Sequence, residues 1–343
     1  MAIDSTHFIA FAEGRKNNAT DSGDIDLIQK RITFDRLTNN LTVGPIEVVA
    51  PGTGNTRGNP TPLLIKQGAR AGRLLLFYNG NIHSDVERLV VEGKSKDVRR
   101  AYLRYSDDGG LTYSPEQEIT SARKPDWRWH AFGPSNGIQM VGGLAPNRLV
   151  IPGNYSDASK IFHSFLLLSD DNGETFYIGA ISSKDSSGEI SIAEFALGNI
   201  YASMRTGHDA FTDQPAFPTE GARWIGISTD GGLSFSQEYR ESAAPSGSVH
   251  GGATVLSEND RGLPVLVLSA PPNKGRTNLT LHATEDGKTF FNRHQVTNGS
   301  SGYSNMLDLG RNLLGLFYEF TDENGKFHAK IVVYDVADSY RPD

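Results

Sequence analysis

One short turn motif recurs along the chain and constrains its fold more than any other feature. "SDDGGLTY" begins at Ser106, "SDDNGETF" at Ser169 and "STDGGLSF" at Ser228, and a copy one residue shorter, "TEDGKTF", begins at Thr284. The copies start 63, 59 and 56 residues apart. In each, the Asp can accept backbone N–H bonds, the Gly tolerates positive φ, and the closing aromatic can anchor the turn on a sheet beneath it.

The segments before the turns have the pattern of β-strands. "RAYLRYS", "SFLLLS", "RWIGIS" and "NLTLHAT" are short and apolar or alternating, and helical periodicity is hard to find. Self-similar units that hold several strands are typical of β-propellers. The mean spacing divides the 343 residues into nearly six units, so the sequence predicts an all-β, six-bladed β-propeller of four-stranded antiparallel blades. "RITFDRLTNN", Arg31 to Asn40, could be a decayed first copy of the turn.

The composition favours a single domain over residues 1–343. Hydrophobic residues make up 37%, there are 37 glycines, and no Pro/Ser-rich linker divides the chain. The net charge of −7 offers no basic surface to nucleic acid. No apolar run approaches the roughly 18 residues of a membrane span, and the chain has no cysteine for disulfides or thiolate metal sites. The N-terminus lacks the regions of a signal peptide, so the chain either is not exported by that route or begins after its leader.

The repeated turn resembles the Asp-box of the sialidase (neuraminidase) superfamily, and the resemblance extends over nearly the whole chain. "AFAEGRKNNATDSGDIDLIQKR", "GNPTPLL", "FGPSNGIQM", "GEISIAEFALGNIYASMR", "APPNKGRTNLTL" and "SGYSNMLDLGRNLLGLFYE" follow in the order that the family has. The resemblance implies a retaining exo-α-sialidase that removes terminal sialic acids from glycoconjugates through a tyrosyl-enzyme intermediate. It also implies sialylated glycans as partners, a monomer, no metal or organic cofactor, and action outside the cell or at a cell or virion surface.

A sialoside imposes two requirements on such a site. Its anomeric carbon carries a carboxylate, so the site needs fixed cations, and the planar fork of arginine binds a carboxylate through two parallel hydrogen bonds. A carboxylate nucleophile would approach that carbon against like charge, whereas a neutral phenol would not. Because a phenol with a pKa of about 10 is a weak nucleophile, it needs a neighbouring carboxylate to take its proton.

The resemblance assigns the catalytic roles to three residues. Tyr303 in "GYSNM" matches the nucleophile, and Glu189 in "GEISIAEF" matches the general base that takes its proton. Asp21 in "NNATDSGDID" matches the acid/base that protonates the leaving oxygen and later activates water. Asp24 and Asp26 are alternatives to Asp21 in the same loop.

Two arginines match the family's carboxylate-binding triad. They are Arg205 in "ASMR" and Arg276 in "NKGRTNLTL". Arg205 comes sixteen residues after Glu189, a separation that suits two strands joined by a tight turn and favours Glu189 over Glu194 as the base. Glu319, in "FYEF", matches the glutamate that orients the first arginine of the triad.

Further residues are candidates for the pocket wall. Arg15 and Asn59 match positions that in relatives lie near O4 of the sugar. Trp127 and Trp129 either wall the glycerol or aglycone side or pack between blades. We interpret the charged run "KSKDVRR", Lys94 to Arg100, as a solvated hairpin.

The first arginine of the family's triad has no counterpart in this sequence. The family has it in a "Phe/Tyr-Arg-Ile-Pro" segment upstream of "AFAEGR", which here would fall before Met1. A shortened chain, a replacement arginine from elsewhere, or a site that works with two arginines would each account for this. With an incomplete clamp, a sialic-acid-binding propeller with weak or no turnover is an alternative function. A trans-sialidase or a hydrolase of a related nonulosonic acid is another.

Overall fold

The computed structural model describes residues 1–196, 198–207, 222–246, 249–256, 264–273 and 275–336. Almost all regular structure in these ranges is β-strand, and the helical elements described are the five-residue α1 (Glu87–Val91) and a 3-10 turn at Thr120–Ala122. The predicted all-β class is therefore confirmed.

The largest sheet has eight strands and contains the first part of the chain. Its strands are β1 (His7–Arg15), β2 (Ile25–Asp35), β3 (Asn40–Val43), β4 (Glu47–Ala50), β5 (Thr56–Leu64), β6 (Leu74–Asn81), β7 (Arg100–Ser106) and β8 (Gln117–Glu118). Their order is β1-β2-β5-β6-β7-β8, with β3 and β4 paired to β2. The strands β2 and β5 are linked by a parallel pairing at Ile25 and Thr56, so the sheet consists of two groups of strands with a narrow junction.

Smaller antiparallel sheets follow in chain order. The second contains β9 (His130–Phe132), β10 (Ile138–Gln139), β11 (Leu149–Ser156), β12 (Phe162–Ser169) and β13 (Tyr177–Ile181). The third contains β14 (Ile190–Phe195), β15 (Asn199–Met204), β16 (Arg223–Ser228) and β17 (Gln237–Glu241). The fourth contains β18 (Ala253–Leu256), β19 (Val265–Ala270), β20 (Thr280–Thr284) and β21 (Phe290–Gln295), and the last contains β22 (Ser304–Gly310), β23 (Leu313–Thr321) and β24 (Phe327–Asp335). The described residues thus form four sheets of four or more strands and one of three, which does not confirm six four-stranded blades.

Buried apolar clusters pack each sheet against the next and close a ring. Clusters that span neighbouring sheets contain Phe77 with Phe165, Leu166 with Ile192, Tyr201 with Leu266, and Val267 with Leu316. Phe8 of the first sheet and Leu309 of the last belong to a further cluster. Beside it, Arg36 Nη2 donates to the carbonyl of Leu309 at 2.6 Å. The sheets therefore have a propeller-like arrangement.

The repeated turns share one hydrogen-bond pattern. In the first, Ser106 Oγ donates to Asp108 Oδ1 at 2.7 Å and accepts from Gly110 N at 2.8 Å. Thr112 donates to Asp108 from its backbone N at 2.9 Å and from Oγ1 at 2.6 Å. Related contacts surround the Asp of the other copies, Asp171, Asp230 and Asp286. The local bonding predicted for the motif is confirmed.

Each of three turns also bonds to the group of strands that precedes its own. Gly110 O accepts from Gln29 Nε2 at 2.8 Å, Gly232 O from Ala180 N at 2.8 Å, and Gly287 O from Tyr239 Oη at 3.0 Å. The closing aromatics lie in the clusters between the same groups of strands: Tyr113, Phe176, Phe235 and Phe290. The turns therefore join neighbouring parts of the ring. The segment taken for a decayed copy forms the β2–β3 hairpin, in which Asp35 accepts from Leu37 N at 2.9 Å.

Three buried histidines should make the fold sensitive to mild acid. Burial lowers the pKa of His130 to about 3 and the pKa of His250 and of His282 to about 4. Since unfolded histidine has a pKa of about 6.5, the unfolded chain binds more protons below that pH. The free energy of unfolding should therefore fall by about 1.4 kcal/mol per histidine per pH unit as the pH drops from about 6.5 to 4.

Urea unfolding midpoints measured between pH 7 and 5 test this expectation. His282→Gln should reduce the dependence of the free energy of unfolding on pH by the contribution of one histidine, since the variant has no imidazole to protonate at that position. A midpoint that stays constant over this interval would show that the imidazoles gain no protons on unfolding.

Candidate active site

A tyrosine and a glutamate meet where two strands of different sheets begin. Tyr303 directly precedes β22 and Glu189 directly precedes β14. The half-buried Tyr303 donates a short hydrogen bond from Oη to Glu189 Oε1, and Glu189 itself is buried. The residues proposed from the sequence as nucleophile and base are therefore in direct contact, although they are 114 residues apart in the chain.

Arg205 completes this cluster from the strand next to Glu189. The hairpin of β14 and β15 places it opposite Glu189, whose carbonyl accepts from Arg205 N at 2.8 Å. The side chain then donates from Nη1 to Glu189 Oε2 at 2.8 Å and to Tyr303 Oη at 3.2 Å. Its buried Nε has no hydrogen-bond partner within the described residues.

The electrostatics keep the phenol protonated and the guanidinium charged. Burial, reinforced by the Glu189 carboxylate, raises the pKa of Tyr303 well above its ordinary value. Burial alone would lower the pKa of Arg205, but the neighbouring Glu189 and Tyr303 together outweigh it and raise that pKa. The resting cluster is therefore a neutral phenol that donates to a carboxylate held by a cation, an arrangement suited to proton transfer from Tyr303 to Glu189.

Arg276 and Glu319 both lie close to Tyr303. The exposed Arg276 has its guanidinium carbon 5.9 Å from the centre of the Tyr303 ring. Glu319 Oε2 accepts from the backbone N of Tyr303 at 3.3 Å, and its carbonyl accepts from Gly302 N at 2.7 Å. Loss of hydration among surrounding residues raises the pKa of Glu319, although solvent reaches the side chain. Within the described residues Glu319 forms no ion pair, so it braces the Tyr303 backbone rather than an arginine.

Asp21 and Arg15 form an exposed pair that Glu13 anchors. Arg15 Nη2 lies 2.7 Å from Asp21 Oδ1 and 2.8 Å from Glu13 Oε2. The side chain of Asp21 is 71% exposed, so solvent can reach its carboxylate.

The competing carboxylates are committed to structural contacts. Asp24 bonds to Lys16 and to Gly54 N, and the Lys16 contact lowers the pKa of Asp24. Asp26 is buried and accepts from Gly52 N at 2.7 Å. Glu194 accepts from the backbone N of residues 141 and 142 at 2.7 and 2.6 Å. These contacts favour Asp21 and Glu189 over their alternatives.

Asn59 is held by a residue that the sequence analysis missed. Its side-chain Oδ1 accepts from Arg99 Nη2 at 2.6 Å, and its backbone N donates to Glu13 Oε1 at 3.0 Å. Arg99 lies in the run interpreted as a solvated hairpin, yet it is 1% exposed, so that interpretation is wrong for Arg99. The only signal in the sequence is that this arginine directly precedes a strand pattern.

Trp127 and Trp129 belong to the interior. Trp127 is 3% exposed and stacks on Tyr155 with ring centres 3.8 Å apart. Trp129 is equally buried, against the Arg99 guanidinium. Packing between strands is therefore the correct alternative, and the assignment of Trp127 to the pocket wall is corrected.

His250 is a second residue near the site that the sequence analysis missed. Its buried ring lies 5.6 Å from the Tyr303 ring, and its Nε2 is 3.3 Å from Ser191 Oγ. Because burial lowers the pKa of His250 to about 4, the imidazole is neutral at neutral pH and adds no charge beside the phenol.

The described part of the chain has neither a metal-binding cluster nor a membrane-spanning helix. No three His, Cys, Asp or Glu side chains gather there as a metal ion would require. No helix in the same ranges is long and apolar enough to cross a membrane.

Comparison with known families identifies the repeat. The family described as "BNR repeat-like domain" matches residues 7–316. An exo-alpha-sialidase of Aspergillus fumigatus is 36% identical over 160 residues, which are 42% of this chain and 37% of that protein. A sialidase of Micromonospora viridifaciens is 24% identical over 330 residues, 91% of this chain and 47% of that protein. The chain thus spans less than half the length of these curated relatives.

Solved structures share the fold at low sequence identity. The Hadza microbial sialidase Hz136 superposes with a TM-score of 0.79 at 20% identity, covering 98% of this chain and 64% of that one. The intramolecular trans-sialidase from Ruminococcus gnavus superposes with a TM-score of 0.75 at 17% identity, covering 97% and 92%. These superpositions extend the propeller-like architecture over nearly the whole chain.

Proposed function

Because the chain belongs to the BNR repeat-like family of the sialidase superfamily, we propose that it is a retaining exo-α-sialidase that removes terminal sialic acids from glycoconjugates. The contact that supports this proposal most is the hydrogen bond from Tyr303 to Glu189, with Arg205 donating to both side chains. A half-buried phenol with its own base and an adjacent cation suits attack on an anomeric carbon that bears a carboxylate.

In the first step, Tyr303 Oη bonds to the anomeric carbon as the bond from that carbon to the leaving oxygen breaks. The phenol proton passes to Glu189 Oε1, which already accepts it in a hydrogen bond. Asp21, in its protonated form, gives its proton to the leaving oxygen. The products are a tyrosyl glycoside, protonated Glu189 and ionised Asp21.

In the second step, a water molecule replaces the tyrosine. Asp21 takes a proton from the water as its oxygen bonds to the anomeric carbon, and Glu189 returns its proton to Tyr303 Oη. Two displacements on one carbon retain its configuration. Side chains and water account for every proton, so the proposal includes no metal or organic cofactor.

The substrate carboxylate would bind to Arg205 and Arg276. Arg205 Nη1 lies 3.2 Å from Tyr303 Oη, and the guanidinium carbon of Arg276 lies 5.9 Å from the centre of the Tyr303 ring, so both cations are next to the proposed nucleophile. A charge-assisted hydrogen bond contributes about 1.5–3 kcal/mol. A clamp of two arginines should therefore hold the anion about 10- to 100-fold more weakly than one of three.

Turnover of a fluorogenic sialoside tests the proposal. Absence of turnover together with binding of a 2,3-dehydro analogue of sialic acid would instead favour a sialic-acid-binding propeller. This alternative is specific because no described residue forms an ion pair with Glu319. Transfer to an added galactoside in preference to water would identify a trans-sialidase. A preference for another nonulosonic acid would redefine the substrate.

Asp21→Asn should slow hydrolysis of substrates with poor leaving groups by about 10²- to 10⁴-fold, because the amide cannot protonate the leaving oxygen. With activated aryl sialosides, the rate of the first step should fall little in this variant, since their leaving groups depart without a proton. The measurement is kcat/KM for a series of sialosides whose leaving-group pKa varies.

Asp24→Asn is the matched control, because Asp24 bonds to Lys16 and Gly54 rather than facing solvent freely. If Asp24→Asn shows the steep leaving-group dependence and Asp21→Asn does not, the acid/base assignment moves to Asp24.

We also propose a single domain with six blades. The narrow parallel junction at Ile25 and Thr56 would then merge two blades into the eight-stranded sheet. A separate apolar cluster supports this, because it packs Phe11 and Leu27 from one side of the junction against Leu76 and Tyr78 from the other. An experimental structure with another number of blades would contradict the count.

A further inference from the structure

Among the described residues, the largest fully buried side chain is a cation that has no counter-ion. Arg99 forms no ion pair within the described residues, and burial lowers its pKa to about 10, so it stays charged at neutral pH. Its guanidinium lies 4.1 Å from the ring centre of Trp129 and donates from Nε to His130 O at 3.0 Å. The remaining two nitrogens donate to the side-chain oxygens of Asn81 and Asn59. Burying a charge costs folding free energy, so a buried arginine at this position calls for a reason.

These contacts determine which way the amide of Asn59 faces. Guanidinium has only donors, so the group of Asn59 that faces Arg99 must be its oxygen. The two N–H donors of Nδ2 then face away from Arg99, and they have no hydrogen bond to any described residue. Asn81 cannot take over this role, because its own Nδ2 donates to Asp85 O at 2.9 Å.

Glu13 links Asn59 to Arg15 and uses both of its oxygens in doing so. Oε1 accepts from Asn59 N at 3.0 Å, and Oε2 accepts from Arg15 Nη2 at 2.8 Å. A Cβ at Gly58 would lie 2.3 Å from Glu13 Oε1, so a larger residue at position 58 would move this carboxylate from its present place. At the edge formed by Arg15 and Asn59, the Arg15 nitrogens already contact Glu13, Asp21 and the carbonyl of Ala19. The Nδ2 group of Asn59 therefore supplies the donors of this edge that are open to a ligand.

We propose that Arg99 is a positioning residue that orients the Asn59 amide so that this edge binds a hydrogen-bond acceptor of the sugar. The acceptor is a hydroxyl oxygen or an acyl carbonyl. This inference rests on the proposed sialidase function and adds the chemical group that the edge selects.

Sialosides that each lack one hydroxyl or the acyl group test the proposal. For the wild type, removal of the contacted group should lower kcat/KM about tenfold, mainly through KM, because one hydrogen bond is lost in ground and transition states alike. Asn59→Ala should make kcat/KM the same for the intact substrate and for the analogue that lacks the contacted group. It should leave the effects of removing other groups from the sugar unchanged. Asn59→Asp should raise KM for the intact substrate about tenfold or more, because an acceptor replaces the donor.

Arg99→Met decides whether Arg99 acts through Asn59. Like Asn59→Ala, this variant should no longer distinguish the intact substrate from the analogue that lacks the contacted group. The double variant Arg99→Met/Asn59→Ala should show no further loss of kcat/KM. A purely structural role would lower the urea midpoint and reduce kcat/KM for all analogues equally, and that result in the folded variant would overturn the proposal. If Arg99→Met does not fold, Arg99→Lys takes its place in the same comparison, since lysine keeps the charge but not the planar fork.

The outcomes separate this inference from the proposed function. A wild-type protein that neither turns over a sialoside nor binds the 2,3-dehydro analogue would overturn both. A wild-type protein that hydrolyses sialosides while Asn59→Asp leaves KM unchanged would leave the sialidase function standing and overturn the role of the donor edge.

Discussion

A fluorinated sialosyl donor should leave a covalent adduct on Tyr303, and Tyr303→Phe should abolish both the adduct and turnover. The fluorine slows the second displacement, so the glycosyl-enzyme should accumulate and be located by mass spectrometry of peptides. Since phenylalanine lacks the attacking oxygen, we expect kcat to fall on the order of 10³-fold or more, as happens when an enzyme loses its nucleophile.

Tyr318→Phe is the matched control, because Tyr318 lies opposite Ser304 on the neighbouring strand and is buried. That variant should form the adduct as the wild type does. An adduct on Glu189 or Asp21 in the wild type would refute the tyrosine mechanism for this protein.

Glu189→Gln should slow formation of the adduct by about 10²- to 10⁴-fold. A neutral amide cannot accept the phenol proton, and burial already holds the pKa of Tyr303 far above neutrality, so the phenol would have no route to the attacking form. The rate of adduct formation with the fluorinated donor isolates this step from hydrolysis.

Glu194→Gln provides the comparison on the same strand. Glu194 bonds to the backbone of residues 141 and 142 and has no contact with Tyr303, so its substitution should lower the urea midpoint and leave the adduct rate within about threefold. If both variants form the adduct at the wild-type rate, Glu189 is not the base.

The turns could be predicted because their chemistry is local. Ser106, Asp108 and Thr112 find one another within seven residues, so the motif carries its own structure. The number of sheets could not be predicted from the repeat. One pairing between Ile25 and Thr56 merges groups of strands that the repeat separates. Hydrogen bonding at that junction depends on how two hairpins pack, and the period of a motif does not contain that information.

In the candidate site, too, some contacts could be predicted from the sequence and others could not. The spacing between Glu189 and Arg205 predicts their meeting across two strands, and β14 and β15 place them so. The burial of Arg99 depends on Trp129 and His130, about thirty residues further along, and a run of charges alone indicates a solvated segment. Long-range packing also decides that Trp127 stacks on Tyr155 instead of facing a ligand.

The closure of the ring has a consequence for how a ribosome must make this protein. Arg36 bonds to the carbonyl of Leu309, which lies 273 residues further along the chain. At about 5–20 residues per second, the first strands wait roughly 15 to 55 s for the segment that covers them. During that interval Phe8, Ile32 and Phe34 have no partner from the last sheet. The nascent chain should therefore bind chaperones through its earliest strands, and release should follow emergence of the final sheet.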